Sequence, residues 1–443
     1  MLLAMRHILG REEMAEFLID VSTHNTASVK GVEKAGFLPV AQIAYLVIFN
    51  RFRYLLRRSG WDATSLSPDG QVTTRVIRDE AGWDAIRHDW DTLYAASPTA
   101  STPLDFAWLR SWWQVYKSAL RAGELRIVTV WRAQQLIGAI PLYIHRGRGG
   151  LLGVRYLEFI STGEAEFEET CPDYLNILYL PSEEVICVDA VWQEIGRMDW
   201  DRLEFLDLPE NTPLLRMQSL PHDAQRFSRG ACLVADLTGG FEAYLDRLSS
   251  NSRQHVRRLM REGKRAGVQF EVINVDQLAG AFDDLVRLHQ ERWTADGKPG
   301  VFGAPRFVEF HHGLTSQWLP TGRVILARLS LASEPVVVLY GFVTGQTFDF
   351  YQSGMRLEVA SPLRSPGNLA HLLLMKALID NGVTAYDFLR GSASYKERLA
   401  TRANPLTEIR ISRPTVRMAV HICVRFAACI IRKGLHFVRR STP

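Results

Sequence analysis

The feature that most constrains the fold is a pattern that occurs twice along the chain. The segments LRIVTVWRAQQLIGAIPLYIHR (125–146) and RVILARLSLASEPVVVLYGFVT (323–344) each combine a strand, a short polar turn and a second apolar strand. Each is followed by a further strand, a helix and a short apolar strand, which is RLEFLDL in one copy and AYDFLRG in the other. A unit that recurs in tandem predicts an α/β fold in which two similar domains carry mixed sheets flanked by helices.

The predicted domain organisation follows from this repeat. We assign residues 72–235 to a first domain and residues 236–412 to a second, and we call them the first half and the second half. The polar, turn-rich stretch 59–71 predicts a linker to a separate N-terminal segment, residues 1–58. Residues 413–443 form a C-terminal tail.

The C-terminal tail has the pattern of a basic amphipathic helix. Arginine and histidine recur at helical spacing between 417 and 439, and apolar side chains line another side. Such a helix is suited to lie on an anionic bilayer, which predicts a membrane-surface contact through residues 415–440. A helix that docks on the protein's own core or on a partner has the same pattern, so both interpretations stay open.

Composition excludes several classes of protein. The chain has 443 residues, of which 47% are hydrophobic, so it can bury a large core. A net charge of +4 does not indicate a nucleic-acid binder, and we expect no DNA partner. Five cysteines without CxxC spacing predict neither a disulfide framework nor a metal site. Without a long apolar run or a signal-peptide pattern, we expect a cytoplasmic protein, peripheral at most on the inner face of the plasma membrane.

Two further stretches each admit a structural and a functional interpretation. Tryptophan recurs at helical spacing from Trp83 to Trp113, and we interpret this run as core rather than as a surface that stacks bases or sugars. The helix predicted over 251–267 carries six lysine and arginine side chains. We interpret it as a solvated basic face, and contact with phosphates is the functional alternative.

The stretch 361–396, SPLRSPGNLAHLLLMKALIDNGVTAYDFLRGSASYK, carries most of the chemical information. It predicts a loop, a helix to residue 380, a buried strand at 385–389 and a polar turn. The SPGN segment (365–368) opens the helix, and the unpaired N–H groups of a helix start can hold a phosphate or a carboxylate. Because ligands bind beyond the strand ends of open α/β sheets, Arg390, Tyr395 and Lys396 are predicted to lie on the floor of a site. An ordinary helix–strand unit with a solvated basic turn is the alternative.

Several motifs together carry a resemblance to a known family. They are NSRQHVRRLMREGKRAG, LHQERW, GKPGVF, YGF, FYQSG, SPGNL and YDFLRGSASYKERLA in the second half, with a Trp-rich entry, IGAIPLY and PDYLNIL in the first. In this order they resemble the acetyltransferases associated with bacterial cellulose and exopolysaccharide operons, the CelD-like branch of the GNAT superfamily. That branch is related to the FemAB peptidyltransferases. The resemblance covers residues 72–412.

The N-terminal segment has a resemblance of its own. An N-x-x-S…E-K-x-G-F pattern runs from Asn25 to Phe37, between strands predicted at 17–21 and 37–49. It is similar to the last third of a GNAT domain. Only residues 1–16 precede the first of these strands, which leaves no room for the Gly-rich acyl-CoA loop of that family. We therefore interpret residues 1–58 as a partial GNAT-like segment without a catalytic role.

The resemblance implies an activity and its substrates. It implies two GNAT-like domains with the acceptor site between them, and direct acyl transfer from a thioester to an amine or a hydroxyl. The implied donor is acetyl-CoA or another acyl-CoA, a co-substrate rather than a permanently bound cofactor, and the implied acceptor is a sugar, a glycan or a cell-envelope precursor. In FemAB relatives a lysine in a [FY]-K pair sits at the donor site, and Tyr395-Lys396 occupies that place here. The SPGN segment stands where ordinary GNAT domains carry a Gly-rich loop.

Direct attack on a thioester needs a base for the acceptor, N–H groups that polarise the carbonyl, and an acid for the leaving thiolate. The candidates for the chemistry are Asp387 or His289 as base, Tyr351 or Tyr395 as acid, and Lys396. The predicted donor-binding residues are Ser365, Pro366, Gly367, Asn368, Arg390 and Gly391. The predicted acceptor-side residues are Arg292, Trp293, Gln352 and Gly354.

Two other functions fit the same sequence. A FemAB-like aminoacyl transferase would take its donor from charged tRNA and would use the basic helix 253–265 as the RNA contact. A non-catalytic accessory subunit of a membrane polysaccharide synthase would be tethered by the C-terminal tail. Acyl transfer from acyl-CoA is the function that the sequence favours.

Overall fold

The structure is a computed structural model that describes residues 42–48, 52–59, 72–147, 153–216, 220–221, 223–356, 363–391 and 393–423. The chain divides into two compact units, residues 1–71 and 72–443. In the first unit, β1 (Gln42–Ile48) and β2 (Phe52–Ser59) pair antiparallel. β1 lies within the strand predicted at 37–49. The strand predicted at 17–21, the Asn25–Phe37 pattern and most of the predicted linker lie outside the described residues.

The described strands of the second unit fall into a large sheet and a small one. They are β3 (Val72–Ile77), β4 (Glu124–Leu125), β5 (Ile127–Arg132), β6 (Gln135–Ile140), β7 (Leu142–Arg146), β8 (Arg155–Phe159), β9 (Leu178–Tyr179), β10 (Arg202–Pro209), β11 (Gln225–Asp236), β12 (Gln269–Val272), β13 (Val324–Leu331), β14 (Glu334–Thr344), β15 (Thr347–Met355), β16 (Ala385–Asp387) and β17 (Arg402–Ser412). The large sheet has the order β12-β13-β14-β15-β16-β11-β17-β10-β8-β7-β4, and the small sheet has the order β3-β5-β6-β9.

The helices pack on both sheets: two helices of the first half, 87–96 and 184–197, pack on the small sheet, and two of the second half, 278–295 and 366–380, pack on the large sheet. Those described in full are α1 (Glu80–Ala85), α2 (Arg87–Ala96), α3 (Phe106–Tyr116), α4 (Glu184–Arg197), α5 (Gly240–Arg247), α6 (Ser250–Ala266), α7 (Leu278–Ala295), α8 (Pro305–Trp318), α9 (Pro366–Asp380) and α10 (Ser394–Leu399). Alternate residues along a strand point to opposite faces, so Leu326 packs in the cluster of α7 and α8 while the next residue, Ala327, packs in the cluster of α6 and α9.

Both halves contain the same unit around a pair of parallel strands. In the first half β7 pairs antiparallel with β8, and α4 connects β8 to its parallel neighbour β10. In the second half β14 pairs antiparallel with β15, and α9 connects β15 to its parallel neighbour β16. The α/β fold with a tandem pair of similar units, predicted from the repeat, is therefore confirmed.

The halves differ from the expectation in one respect, because they share the large sheet instead of having one each. β17, from the second half, pairs antiparallel both with β10 of the first half and with β11. The edge of a strand carries unpaired N–H and C=O groups, and β17 satisfies those of both neighbours at once. β11 crosses the boundary expected between residues 235 and 236, which stays a prediction.

The tryptophan run is part of the core, as the sequence indicated. The five tryptophans of the run are between 0 and 4% exposed. The ring of Trp108 lies 4.9 Å from that of Phe310 and 5.2 Å from that of Phe342, measured between centroids. Because both phenylalanines belong to the second half, this cluster joins the two halves through apolar contact.

The basic helix has the solvated face that we expected. α6 begins after Ser249, whose side chain accepts a hydrogen bond from the backbone N–H of Ser252. Its buried residues, Val256, Leu259 and Gly263, lie on one side. The exposed basic residues are Arg257, Arg258, Arg261, Lys264 and Arg265.

The C-terminal tail begins by docking on the first half. The Arg413 guanidinium lies 3.7 Å from the centroid of the Trp200 ring, and Nε of Arg417 lies 2.8 Å from a carboxylate oxygen of Asp201. Met418 is buried, whereas Val416 is 77% exposed. Residues 424–443 lie outside the described part of the chain, so the membrane contact expected through 415–440 stays a prediction. No described helix combines the length and the apolar character needed to cross a bilayer.

Candidate active site

The strands β15 and β16 separate at their carboxyl ends and leave a cavity between them. The two parallel strands pair over three residues only, 347–349 with 385–387. The next four residues of each segment, 350–353 and 388–391, line a cavity of about 350 Å³. Ligands of α/β sheets bind at the carboxyl ends of such strands, so this cavity is the candidate active site.

The remaining walls come from both halves of the protein. The first half contributes an irregular segment in which Cys171 and Tyr174 have positive φ angles of 44° and 68°. The lining residues from this segment are Glu169, Cys171 and Asp173. The second half adds the ends of two helices and a loop, with Arg292, Trp293, Val301, Tyr395 and Lys396. The cavity therefore lies between the halves, which is where the resemblance implies an acceptor site.

About half of the residues predicted for the site line this cavity. They are Arg292, Trp293, Tyr351, Gln352, Arg390, Gly391, Tyr395 and Lys396. The residues that the structure places outside the lining are Ser365, Pro366, Gly367, Asn368, His289, Gly354 and Asp387. Within the described residues, no group of histidine, cysteine and carboxylate side chains is arranged to hold a metal ion.

Tyr351 is the extra residue of a β-bulge at the cavity wall. The pairing of Tyr340 with Gln352 and of Gly341 with Phe350 leaves it without a partner on β14. Its hydroxyl donates to the carbonyl oxygen of Thr170 at 2.5 Å, and burial raises its pKa well above the ordinary value. The hydroxyl proton therefore already has an acceptor and is poorly placed to protonate a leaving thiolate.

Tyr395 offers a freer hydroxyl. Its ring stacks on that of His371, with 5.2 Å between centroids, and this contact fixes the side chain at the cavity. Nδ1 of His371 is engaged by the Tyr386 hydroxyl instead, and burial raises the pKa of Tyr395 to about 12. Of the two tyrosines proposed as acids, Tyr395 has the geometry that suits the role.

Lys396 is bound to the backbone at the cavity floor. It lies in α10, a short helix that replaces the polar turn expected there. Its Nζ donates to the carbonyl oxygens of Phe388, Leu389 and Arg390 at 2.7, 3.2 and 2.9 Å. An ammonium group has three N–H donors, so these three bonds use them all. Burial lowers its pKa. In this arrangement Lys396 has no N–H group left to donate to a phosphate.

Asp387 lies behind the cavity floor. Its carboxylate accepts hydrogen bonds from the Tyr174 hydroxyl at 2.5 Å and from the backbone N–H of Leu389 at 2.7 Å. It is 2% exposed, and burial raises its pKa. Both oxygens are engaged, so the carboxylate joins the halves and shapes the turn after β16 instead of meeting an acceptor.

His289 and Gly354 mark the contact between α7 and β15. His289 is 1% exposed, and burial lowers its pKa to about 4, so its ring is neutral and packed at neutral pH. A Cβ on Gly354 would lie 2.7 Å from the carbonyl oxygen of Leu285 and 3.0 Å from the backbone nitrogen of His289. Gly354 therefore allows the strand to touch the helix backbone, and neither residue reaches the cavity.

The SPGN segment forms the start of α9, as predicted. Pro366 is the first residue of the helix, and Ser365 precedes it without a capping hydrogen bond from its side chain. A Cβ on Gly367 would lie 3.3 Å from the sulfur of Met355, the last residue of β15. The helix start is thus held beside the end of the strand that lines the cavity. The loop 357–362 between them lies outside the described residues.

Sequence reasoning missed the residue with the most unusual environment in the cavity, Asp173. It is 5% exposed, one carboxylate oxygen accepts the backbone N–H of Arg390 at 2.8 Å, and Nε of Arg390 lies 3.4 Å from the other. Burial raises its pKa to about 6. The motif PDYLNIL contains it, and an acidic residue inside so apolar a segment was the signal available in the sequence.

Comparisons with known proteins agree with this fold. Residues 250–397 match the acetyltransferase (GNAT) domain family, and this range includes β15, α9 and β16. The crystal structure of FemX superposes with a TM-score of 0.50 at 10% identity, covering 74% of this chain and 96% of FemX. A tandem GNAT protein from the clavulanic acid biosynthesis pathway gives a TM-score of 0.41 at 11% identity, covering 77% of this chain and all of that protein. No curated protein matches the sequence significantly.

The domain match and the likeness to FemX both indicate that this chain has the GNAT acetyltransferase fold. The match covers most of the second half, including the strands β15 and β16 between which the candidate site opens. At 10% identity the likeness to FemX shows the fold alone.

Proposed function

We propose that this protein is an acyltransferase that moves an acyl group from an acyl-CoA thioester to an amine or hydroxyl of a small acceptor. The observation that carries the proposal is the cavity at the separated ends of β15 and β16, because these two strands lie within the range that matches the GNAT domain. A volume of about 350 Å³ suits the thioester end of the donor together with a small acceptor group.

We assign each step of acyl transfer to a different group at or near the cavity. The backbone N–H groups at the bulge of Tyr351 polarise the thioester carbonyl, and the Tyr395 hydroxyl protonates the leaving thiolate. The start of α9 at the SPGN segment receives the donor phosphates, since it presents unpaired N–H groups next to the end of β15. Arg390 and Lys396 hold the cavity floor in shape.

The acceptor belongs, in this proposal, to the sugars and cell-envelope or exopolysaccharide precursors that the CelD-like resemblance implies. A cytoplasmic site of action is part of the same proposal. The exposed side of the tail, which includes Val416 and Ile422, would bring the protein to the inner face of the membrane.

A second candidate, aminoacyl transfer from charged tRNA, is favoured by one observation. The exposed basic face of α6 is of the kind that contacts nucleic-acid phosphates. The helix packs closely on α9: a Cβ added to Gly263 of α6 would lie 2.6 Å from a methyl carbon of Leu369 in α9. RNA bound on this face would therefore lie near the helix start assigned to the donor.

Thermal unfolding and thiol release test the two donors. The full-length protein should unfold at a higher temperature with acetyl-CoA or a longer acyl-CoA, and it should release free CoA thiol when an amino sugar or a hydroxyl acceptor is added. Tyr395→Phe should keep the thermal shift and lose most of the release rate. No shift at millimolar acyl-CoA, together with a steeply salt-dependent affinity for aminoacyl-tRNA, would replace the first proposal with the second.

A further inference from the structure

We propose that Asp173, contributed by the first half, is the general base that takes the proton from the attacking acceptor. The inference rests on the acyl transfer proposed above, and it adds a catalytic residue outside the range 250–397 that matches the GNAT domain.

The environment of Asp173 separates its two carboxylate oxygens. Oδ2 accepts the backbone N–H of Arg390 at 2.8 Å and lies 3.6 Å from the sulfur of Cys232. Oδ1 is buried and has no hydrogen-bond partner among the described residues. Buried carboxylate oxygens are normally satisfied, so an unpartnered one on a residue that lines a cavity indicates a partner that binds there.

The guanidinium of Arg390 fixes this carboxylate in its orientation. Its Nε lies 3.4 Å from Oδ1 of Asp173, and its Nη1 lies 2.8 Å from a carboxylate oxygen of Asp207. The guanidinium is therefore shared between two carboxylates and does not neutralise Asp173 alone. Oδ1 retains the negative charge and the free lone pair that a proton acceptor needs.

The other candidate groups at or near the cavity cannot serve as well. Asp387 has both oxygens engaged and does not line the cavity. His289 is packed against Trp293 behind the wall, and burial lowers its pKa to about 4. Burial raises the pKa of the Cys171 thiol to about 12, which keeps it protonated at neutral pH.

The raised pKa of Asp173, about 6, suits the task. A base works best when its pKa lies near the working pH, because it is then ionised yet still binds a proton well. The acceptor nitrogen or oxygen attacks the thioester carbon and forms the new C–N or C–O bond, while its proton moves to Oδ1. The C–S bond breaks, the thiolate takes the proton of the Tyr395 hydroxyl, and the proton on Asp173 returns to the tyrosinate through solvent.

The charged and titratable groups that face Asp173 come from several elements, and each acts on its ionisation. Arg390 and Lys396 favour the carboxylate, whereas the neighbouring acids oppose it. Besides these cations, the groups are Arg229, Cys171, Cys232, Asp207, Asp349 and Asp387.

The test compares Asp173→Asn with Glu158→Gln, another buried carboxylate of the first half, which does not line the cavity. Asp173→Asn should lower kcat by at least about 100-fold while the KM for acyl-CoA and the acyl-CoA-induced thermal shift stay within about threefold. Glu158→Gln should keep kcat within about threefold. In the wild type, kcat/KM should rise with pH to a plateau with a midpoint near 6, and Asp173→Asn should lack this step.

The outcomes separate this inference from the proposed function. If the wild type binds and uses acyl-CoA but Asp173→Asn retains its kcat, or the wild-type profile has no step near pH 6, Asp173 is not the base and acyl transfer stands. If aminoacyl-tRNA is the donor instead, the same comparison applies with that donor. If neither donor supports transfer, both proposals are overturned. Should Asp173→Asn fail to fold, Asp173→Ala with added formate replaces it, and activity restored by formate but not by chloride supports the inference.

Discussion

Lys396 lines the cavity, as the sequence predicted, and the structure shows that its ammonium group also binds the backbone there. The backbone before it is unusual, since Leu389 has a φ of 55° and Gly391 a φ of 124°. A non-glycine residue in the left-handed region costs free energy. The three hydrogen bonds from Nζ to the carbonyl oxygens of residues 388–390 offset that cost. The lysine therefore sets the shape of the cavity floor.

We expect Lys396→Met to destabilise the protein and lower kcat together. The substitution keeps the length of the side chain and leaves three buried carbonyl groups without their donor, which costs about 1–3 kcal/mol for each unsatisfied group. Urea unfolding and steady-state kinetics measure both effects. Lys264→Met, at an exposed position of α6, is the control and should change stability by less than about 0.5 kcal/mol. Unchanged stability with a raised KM for acyl-CoA would mean that Lys396 binds the donor after all.

Asp349 carries a prediction about pH. Its carboxylate lies opposite Asp387 on the neighbouring parallel strand, and burial, together with the charge of Asp387, raises its pKa above the ordinary 3.8. The folded state then keeps a proton that the unfolded chain has lost, so stability falls as pH rises above about 4 through neutrality. Asparagine does not titrate and can still accept the hydrogen bond from the Thr102 hydroxyl. The difference in melting temperature between Asp349→Asn and the wild type should therefore increase in favour of the variant from pH 5 to pH 8. A difference that does not change with pH would show that the pKa of Asp349 is not raised.

At the scale of elements, the packing of β15 against α7 fixes the position of the cavity wall that β15 forms. Gly354 is the point of closest approach, and residues 350–353 just before it line the cavity. A side chain at this position would push the strand away from the helix backbone. The structure gives Gly354 a packing role that affects the site indirectly, and its acceptor-side role stays a prediction.

Gly354→Ala should destabilise the fold by about 1–3 kcal/mol and reduce activity, because the new methyl group meets backbone atoms that cannot give way. Gly280→Ala is the matched control on α7. A Cβ there would have no atom within 4 Å, and replacing a helical glycine by alanine should raise stability by about 0.5–1 kcal/mol. Denaturant unfolding of the two variants measures both effects. Equal stability of Gly354→Ala and the wild type would show that β15 and α7 can separate freely.

Local signals were enough to predict most elements around the site. Ser249 and Gly267 mark the ends of α6, and the SPGN segment marks the start of α9, because caps and turns act within a few residues. The approach of Asp173 to Arg390 could not be read in this way, since 217 positions separate the two residues. The hydrogen bonds that Lys396 and Asp387 make to residues 388–390 also depend on a turn whose conformation no local rule specifies.

At the scale of the whole molecule, the halves are bound together by more than the shared sheet. Trp108 packs on phenylalanines of the second half, the Tyr174 hydroxyl donates to Asp387, and Arg323 pairs with Asp105 at 2.6 Å. The candidate site lies in this seam. Its geometry therefore depends on both halves being folded at once.

Residues 72–443 should accordingly unfold in one cooperative transition. Most of the tryptophans lie in the first half, so their fluorescence reports on that half, whereas far-UV circular dichroism reports on both. The two signals should share one midpoint in urea, because separating the halves would expose the aromatic cluster and the unpaired edges of β10 and β11. Two resolved midpoints would show that the halves are independent domains.

The position of β17 also has a consequence for how the protein is made. This strand fills the middle of the large sheet, yet among the described sheet strands it is the last to leave the ribosome. Until then, the flanks of β10 and β11 that will receive it are open, and open flanks recruit strands from other chains. A nascent chain halted before Arg402 would expose both flanks at once, so we expect it to aggregate more readily than the completed chain.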